Sequence, residues 1–245
     1  MGDSTPAPRT NSLTDPVLTL QERTLAAGEK KPARAIYSAM HIFVNHVMYR
    51  YFRMEMEGED RLSTLGPVII APVHRSNVDV LLVSGGSNRR FRSLAKESMF
   101  KGPVLSWLWA ALGSFPVQRG AADRDALNAA RMLLDRGEPV LVFPEGTRQS
   151  GRGVADVFDG VAYLAAKTGA RVVPVGLAGT EEALPPGAKF PRPSRVQMVV
   201  GDVIEPPFSP SGRVTRSLRD DFSAELHASL QRAQDLANEK RDARS

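Results

Sequence analysis

Short apolar runs alternate with helical patterns along most of this chain of 245 residues. Runs of about four to eight residues rich in valine, isoleucine and leucine predict strands, and apolar residues at three- and four-residue spacing predict helices. Because single helices separate most of the strands, we expect an α/β fold, with a mainly parallel central sheet flanked by helices and an N-terminal amphipathic helical segment. The predicted strands cover residues 53–57, 68–73, 91–95, 114–118, 140–144, 172–177 and 196–200, and the predicted helices cover 78–84, 98–112, 123–135, 160–168 and 215–240.

The clearest amphipathic pattern spans residues 33–53. Arginines lie near both of its ends, and its apolar stripe consists of Ile36, Tyr37, Met40, Phe43, Val44, Val47, Met48 and Tyr51. Such a stripe either packs on its own domain or lies in a membrane interface, and both can hold for different residues. We therefore divide the chain into a flexible or partly helical segment (1–30), the amphipathic helix with a face that can contact a membrane (31–56), and an α/β domain (57–245).

Composition narrows the choice of compartment and partner. The hydrophobic share of 42% suits a globular domain, and the absence of cysteine excludes disulfides and a thiolate nucleophile. Lysine and arginine outnumber aspartate and glutamate by 32 to 27, which favours anionic partners. We expect no nucleic-acid partner, since no zinc-finger, helix-turn-helix or aromatic RNA-binding pattern accompanies this charge. With no signal-peptide pattern and no apolar stretch of about 20 residues, the chain is expected to be peripheral, at the cytoplasmic face of the cell membrane.

His74 directly follows a buried strand pattern, and Asp79 lies about one helical turn further on. Ser76 or Asn77 is a plausible N-cap for the helix that begins there. A carboxylate that turns back towards the imidazole would orient it and stabilise the imidazolium formed when a substrate hydroxyl loses its proton. The alternative is a histidine and an aspartate that only decorate a helix start. The pair alone does not decide between the two.

Cations follow three further predicted strands. Residues 143–148 read Phe-Pro-Glu-Gly-Thr-Arg, residues 113–120 include Arg119, and Lys96 ends another strand. The carboxyl ends of parallel strands open onto a ligand crevice, so Lys96, Arg119 and Arg148 are expected to converge on one rim and to suit a phosphomonoester. Gly146 permits close backbone approach. Taken singly, each cation is more commonly an ordinary surface residue.

In this order, the blocks resemble the glycerolipid acyltransferase family, also called the lysophosphatidic acid acyltransferase family. Residues 74–79 match its first motif, a His, four residues and an Asp; 113–119 resemble the second block, 143–148 the third and 172–175 the fourth. The resemblance implies that His74 is a general base and Asp79 its orienting partner. It also implies an acceptor and phosphate site formed by Lys96, Arg119, Glu145, Gly146, Thr147 and Arg148.

The implied reaction moves a fatty acyl group from an acyl-CoA or acyl carrier thioester to 1-acylglycerol 3-phosphate, giving phosphatidic acid in phospholipid biosynthesis. The donor is a substrate, and neither a cofactor nor a metal is expected. The apolar segment 103–112 is either a wall of an acyl groove or ordinary core. Alternatives that remain open are glycerol 3-phosphate or another lysophospholipid as acceptor, a non-catalytic module that binds anionic lipid, and a metal phosphohydrolase.

Overall fold

The computed structural model describes residues 23–117, 123–207 and 213–244, and seven strands lie within them. All seven correspond to apolar runs predicted as strands, with ends that differ by at most three residues. The strands are β1 (Glu55–Glu57), β2 (Val68–Pro72), β3 (Arg92–Lys96), β4 (Ser114–Val117), β5 (Pro139–Leu141), β6 (Arg171–Ala178) and β7 (Gln197–Val200).

The strands form one sheet in the order β1-β7-β6-β2-β5-β3-β4. The five strands from β6 to β4 are parallel, whereas β7 runs antiparallel to β6 and pairs in parallel with β1. The predicted mainly parallel α/β fold is therefore confirmed. The antiparallel direction of β7 was not predicted. Only a four-residue helix lies between β6 and β7, so no long crossover helix returns the chain to the other end of the sheet.

Helices flank this sheet. One of them, α1 (Lys31–Phe43), continues through a π-helical turn (Val44–Met48) into a last α-helical turn (Tyr49–Tyr51). Later in the chain lie α2 (Asp79–Gly85), α3 (Pro103–Ala111), α4 (Asp123–Asp135), α5 (Gly160–Thr168), α6 (Thr180–Ala183) and α7 (Arg216–Asp242). The bounds of α4 and α5 are those that the sequence predicted.

The α3 helix begins five residues later than its apolar pattern predicted. Glu97–Met99 is a 3₁₀ turn, and Gly102 has a positive φ of 79° that an α-helix cannot accommodate. Pro103 then occupies the first helical turn, where its missing N–H has no cost. In the predicted acyl-groove wall, Ala110 and Ala111 are buried, whereas Val104 is 75% exposed.

The predicted apolar stripe of α1 is divided between two environments. Val44 is buried against the domain, where its side chain packs at Gly85 of α2. In contrast, Phe43 is 46% exposed and Val47 50% exposed. Part of the stripe therefore packs on its own domain, and part of it stays exposed. Among the described residues, no helix combines the length and apolarity needed to cross a membrane.

The core gives the carboxyl end of the sheet a rigid base. Every residue of β2 is buried, and Ile69 and Ile70 are among the largest fully buried side chains. Since both faces of β2 are covered, its sequence is continuously apolar rather than alternating. The segment that leaves β2 at the carboxyl end carries His74.

Candidate active site

His74 and Asp79 are in contact. The Nδ1 atom of His74 lies 3.0 Å from Oδ2 of Asp79, which is completely buried. An ionised carboxylate only accepts hydrogen bonds, so the proton of the imidazole is on Nδ1 and the lone pair is on Nε2. Within the described part of the chain, Nε2 has no hydrogen-bond partner, and the side chain of His74 is 17% exposed. The arrangement can accept a proton from a bound hydroxyl.

The Asp79 carboxylate itself organises the turn between β2 and α2. Its Oδ2 atom also accepts the backbone N–H groups of Arg75 and Ser76, at 2.7 Å each. The predicted N-cap was wrong, because no side chain caps this helix and the hydroxyl of Ser76 donates instead to the carbonyl of Leu184. Asp79 is the first helical residue, and its carboxylate satisfies two buried N–H groups of the turn that precedes the helix.

The ring of His74 is held from one face by Phe143. Their ring centroids are 3.7 Å apart and their planes differ by 16°, which is a stacked arrangement. Phe143 follows β5, the neighbour of β2 in the sheet. Together with the Asp79 contact, this stacking restricts rotation of the imidazole.

Glu145 is buried beneath this turn rather than open to the crevice. Its Oε2 atom accepts the backbone N–H of His74 at 2.8 Å, and its Oε1 atom accepts that of Ala155 at 3.0 Å. Both oxygens also lie 3.0 Å from Nη1 of Arg75. The carboxylate is 0% exposed, and its negative charge disfavours a phosphate.

Arg75 is a site residue that the motif comparison left aside. It is 3% exposed and joins the first and third blocks, since its Nη1 atom binds Glu145 and its Nη2 atom donates to the carbonyl of Gly153 at 2.7 Å. No local pattern marks it, because its partners lie 70 and 78 residues further along the chain. The one signal in the sequence was an arginine directly after the candidate base, and an ordinary solvent-exposed arginine would look the same there.

Gly146, Thr147 and Arg148 form an exposed tight turn. Gly146 adopts a φ of 70°, which lets the N–H of Thr147 reach the carbonyl of Glu145 at 2.8 Å. The next residue, Gln149, donates its backbone N–H to the carbonyl of His74 at 2.8 Å. The backbone of Arg148 therefore lies close to that of His74, the candidate base. Arg148 forms no ion pair with the described residues.

The other two predicted cations are less completely placed. Lys96 is the last residue of β3 and pairs with Val117 of β4 at the carboxyl end of the sheet. Arg119 lies outside the described residues. Across residues 23–117, 123–207 and 213–244, no three His, Asp or Glu side chains cluster in a way that could hold a metal ion.

A mainly parallel α/β sheet carries a His–Asp pair and a Glu-Gly-Thr-Arg turn at the carboxyl ends of adjacent strands, and this enzyme-like site can take a proton from a bound hydroxyl. A family model described as Acyltransferase matches residues 53–178, just over half of the chain. The chain belongs to this acyltransferase family, and the resemblance drawn from its motifs is confirmed at that level.

Among its relatives are two 1-acyl-sn-glycerol-3-phosphate acyltransferases. The chloroplastic protein of Arabidopsis thaliana is 32% identical over 146 residues, 58% of this chain and 40% of that protein. The protein of Chlamydomonas reinhardtii is 34% identical over 145 residues, 57% of this chain and 43% of that protein. The aligned region thus spans less than half the length of these relatives.

A solved structure extends the similarity over most of the fold. The 1-acyl-sn-glycerophosphate (LPA) acyltransferase of Thermotoga maritima matches with a TM-score of 0.65 and 22% identity, over 89% of this chain and 87% of that one. At this identity the match supports the architecture, including elements outside residues 53–178.

Proposed function

We propose that this chain transfers a fatty acyl group from an acyl thioester to the free hydroxyl of 1-acylglycerol 3-phosphate, giving phosphatidic acid. The observation that carries the proposal is the buried Asp79 carboxylate 3.0 Å from Nδ1 of His74, with Nε2 left for a substrate. A binding module needs no such pair. The names of the two aligned relatives support 1-acylglycerol 3-phosphate as the acceptor.

In this mechanism Nε2 of His74 removes the proton from the acceptor hydroxyl. The oxygen attacks the thioester carbonyl, a C–O bond forms, and N–H donors at the crevice stabilise the oxyanion. The intermediate then collapses with cleavage of the C–S bond, and the departing thiolate takes the proton from His74. Asp79 lowers the free energy of the transient imidazolium by its charge and keeps Nδ1 protonated.

Arg148 is the described cation best suited to bind the acceptor phosphate. It is exposed, lies next to the residue that binds the carbonyl of His74, and has no carboxylate partner among the described residues. Its planar guanidinium can bind two phosphate oxygens. Lys96 and Arg119 are proposed to add positive charge at the same rim. Glu145 is proposed to hold the turn rather than to touch the acceptor.

We further propose that the protein acts at the surface of a membrane, at the cytoplasmic face. Exposed apolar side chains support this: Ile42 of α1 is 58% exposed, and Val47 of the π-helical turn that follows it is 50% exposed. The neighbouring helix α3 adds Val104 and Leu105. An apolar face of this kind beside basic residues suits an interfacial helix. Co-sedimentation with vesicles should fall in a Phe43→Ser variant, and unchanged co-sedimentation would contradict the placement.

The decisive experiment offers the purified chain labelled acyl-CoA or acyl carrier protein with three acceptors: 1-acylglycerol 3-phosphate, glycerol 3-phosphate and a monoacylglycerol. We expect transfer to 1-acylglycerol 3-phosphate, and loss of about 10²- to 10⁴-fold in His74→Ala. Preference for glycerol 3-phosphate would identify the alternative acceptor. Vesicle binding without transfer from either donor would identify a non-catalytic lipid-binding module.

A second comparison tests the phosphate site. Arg148→Ala should raise KM for 1-acylglycerol 3-phosphate by about 10- to 100-fold, the effect of losing a hydrogen bond to a charged group. It should leave KM for the acyl donor nearly unchanged. Arg131→Ala is the matched control, because Arg131 is a half-exposed arginine that pairs with Asp135 on α4. Equal constants in both variants would remove Arg148 from the acceptor site.

A further inference from the structure

Three consecutive residues of the segment between β5 and α5 form hydrogen bonds to two different parts of the molecule. The carbonyl of Gly153 accepts Nη2 of Arg75 at 2.7 Å, and the N–H of Ala155 donates to Glu145 at 3.0 Å. Val154, between them, turns the other way, and its N–H donates to Oε1 of Gln231 at 2.9 Å. The segment therefore connects the buried ion pair of the site directly to the C-terminal helix α7.

Further contacts join the same segment to α7. Nε2 of His227 lies 3.3 Å from the carbonyl of Val154, and Nδ2 of Asn238 donates to the carbonyl of Arg152 at 3.3 Å. These residues lie about one or two helical turns from Gln231 on α7. A polar face of α7 is therefore used to satisfy backbone groups of the segment.

The helix itself is fixed to the sheet. Gln234 accepts the backbone N–H of Leu177 at 2.8 Å and donates to its carbonyl at 2.9 Å, so it completes the backbone bonding of β6. Gly176 allows the helix to approach so closely that a Cβ there would lie 2.4 Å from the backbone of Ala233. Since β6 pairs with β2, α7 has a fixed position relative to the strand that leads to His74.

We propose that Gln231 is a positioning residue for the active site. By holding Val154 it fixes Gly153 and Ala155, which in turn hold Arg75 and Glu145, and Glu145 binds the backbone N–H of His74 at 2.8 Å. The inference rests on the proposed acyltransferase function. It adds a helix that lies beyond residues 53–178, the part matched by the family model.

The test compares variants of the full chain with and without a side-chain acceptor at position 231. Gln231→Met removes the acceptor with little change in size, and Gln231→Ala removes it without adding an apolar group. The double variant Gln231→Glu, Asp235→Asn keeps the acceptor and reverses the 2.8 Å hydrogen bond between these two side chains. Arg232→Met is the matched control, because Arg232 is exposed and bonds only within its own helix among the described residues.

Backbone hydrogen exchange in residues 149–157 and steady-state kinetics are then measured together. In both Gln231→Met and Gln231→Ala we expect faster exchange in this segment and a kcat lower by about three- to tenfold, with KM for acyl-CoA nearly unchanged. The double variant should restore both values, and Arg232→Met should match the wild type. A merely structural role would lower the melting temperature without this selective fall in kcat.

Each contrary result has a distinct meaning. Unchanged exchange in residues 149–157 would overturn the bracing contact. Faster exchange with unchanged kcat, or an equal loss in Arg232→Met, would overturn the positioning role. Absence of acyl transfer in the wild-type chain would overturn the proposed function and with it the catalytic consequence, while the exchange rates would still decide whether Gln231 holds the segment.

Discussion

The charge of Asp79 can be removed with almost no change in shape by the substitution Asp79→Asn. An amide oxygen at the position of Oδ2 keeps the bonds to Nδ1 of His74 and to the two backbone N–H groups. The amide nitrogen then occupies the position of Oδ1, which is buried and has no partner among the described residues. The tautomer of His74 is preserved, so the variant isolates the contribution of the negative charge.

Two bounds define the expected loss of rate. The lower bound is the difference between a charged and a neutral hydrogen bond, about 1 kcal/mol. The upper bound is the attraction between unit charges about 4 Å apart at an effective dielectric constant of about 20, which is about 4 kcal/mol. These energies apply to the imidazolium in the transition state. They correspond to a fall in kcat/KM between about fivefold and a thousandfold.

The assay is transfer of labelled acyl groups to 1-acylglycerol 3-phosphate, carried out below the melting temperature of each variant. Asp60→Asn is the control, since Asp60 is an exposed aspartate in a 3₁₀ turn. The buried amide nitrogen should also lower the free energy of unfolding by about 1–3 kcal/mol, which urea unfolding measures separately. If kcat/KM stayed within twofold of the wild type while His74→Ala was inactive, the proposed electrostatic role of Asp79 would be refuted.

Three further perturbations test the surroundings. Arg75→Met leaves the Glu145 carboxylate buried without its cation and should lower the free energy of unfolding by about 3–5 kcal/mol; adding Glu145→Gln should recover part of it in urea unfolding, and strictly additive losses would contradict the pairing. Gly146→Ala should lower the free energy of unfolding by about 1–2 kcal/mol because φ is 70° and the new Cβ would lie 2.8 Å from the ring of Phe158; stability unchanged from the wild type in urea would contradict the strained turn. Burial raises the pKa of the Tyr49 hydroxyl above its usual 10.0, so the folded state keeps its proton while the unfolded state loses it. The contribution of this hydroxyl to the free energy of unfolding is therefore fully present below about pH 10, and above that pH it falls by at most about 1.4 kcal/mol per pH unit. Unfolding curves of Tyr49→Phe should show a smaller fall with pH.

The sequence predicted the parts of this fold that depend on local order. Apolar runs identified all seven strands, and helical spacing gave α4 and α5 their bounds. Such patterns report which side chains face a core, and that information lies within a few neighbouring residues. The direction of β7 could not be read in the same way, because an apolar run is the same in a parallel and an antiparallel pair.

The same difference between local and long-range contacts decides which residues of the candidate site the sequence predicted. His74 and Asp79 are five residues apart, and a strand followed by a helical turn brings them together. Arg75 was overlooked because its contacts with Glu145 and Gly153 join distant parts of the chain. An arginine is usually expected to be exposed to solvent, whereas the fold buries Arg75 against the carboxylate of Glu145. Long-range pairing of this kind becomes visible only when the order of strands is known.

The register of two strands explains why Glu145 reaches His74. In the sheet, Ile70 of β2 lies opposite Leu141 of β5, and the two motif residues each follow four positions later, at 74 and 145. Equal lengths leaving adjacent parallel strands bring the two segments side by side, so the N–H of one meets the carboxylate of the other. A residue inserted after Leu141 would displace Glu145 by about 3.3 Å, beyond hydrogen-bonding distance. The Glu-Gly-Thr-Arg turn therefore holds its glutamate against the backbone of the site and leaves its arginine exposed.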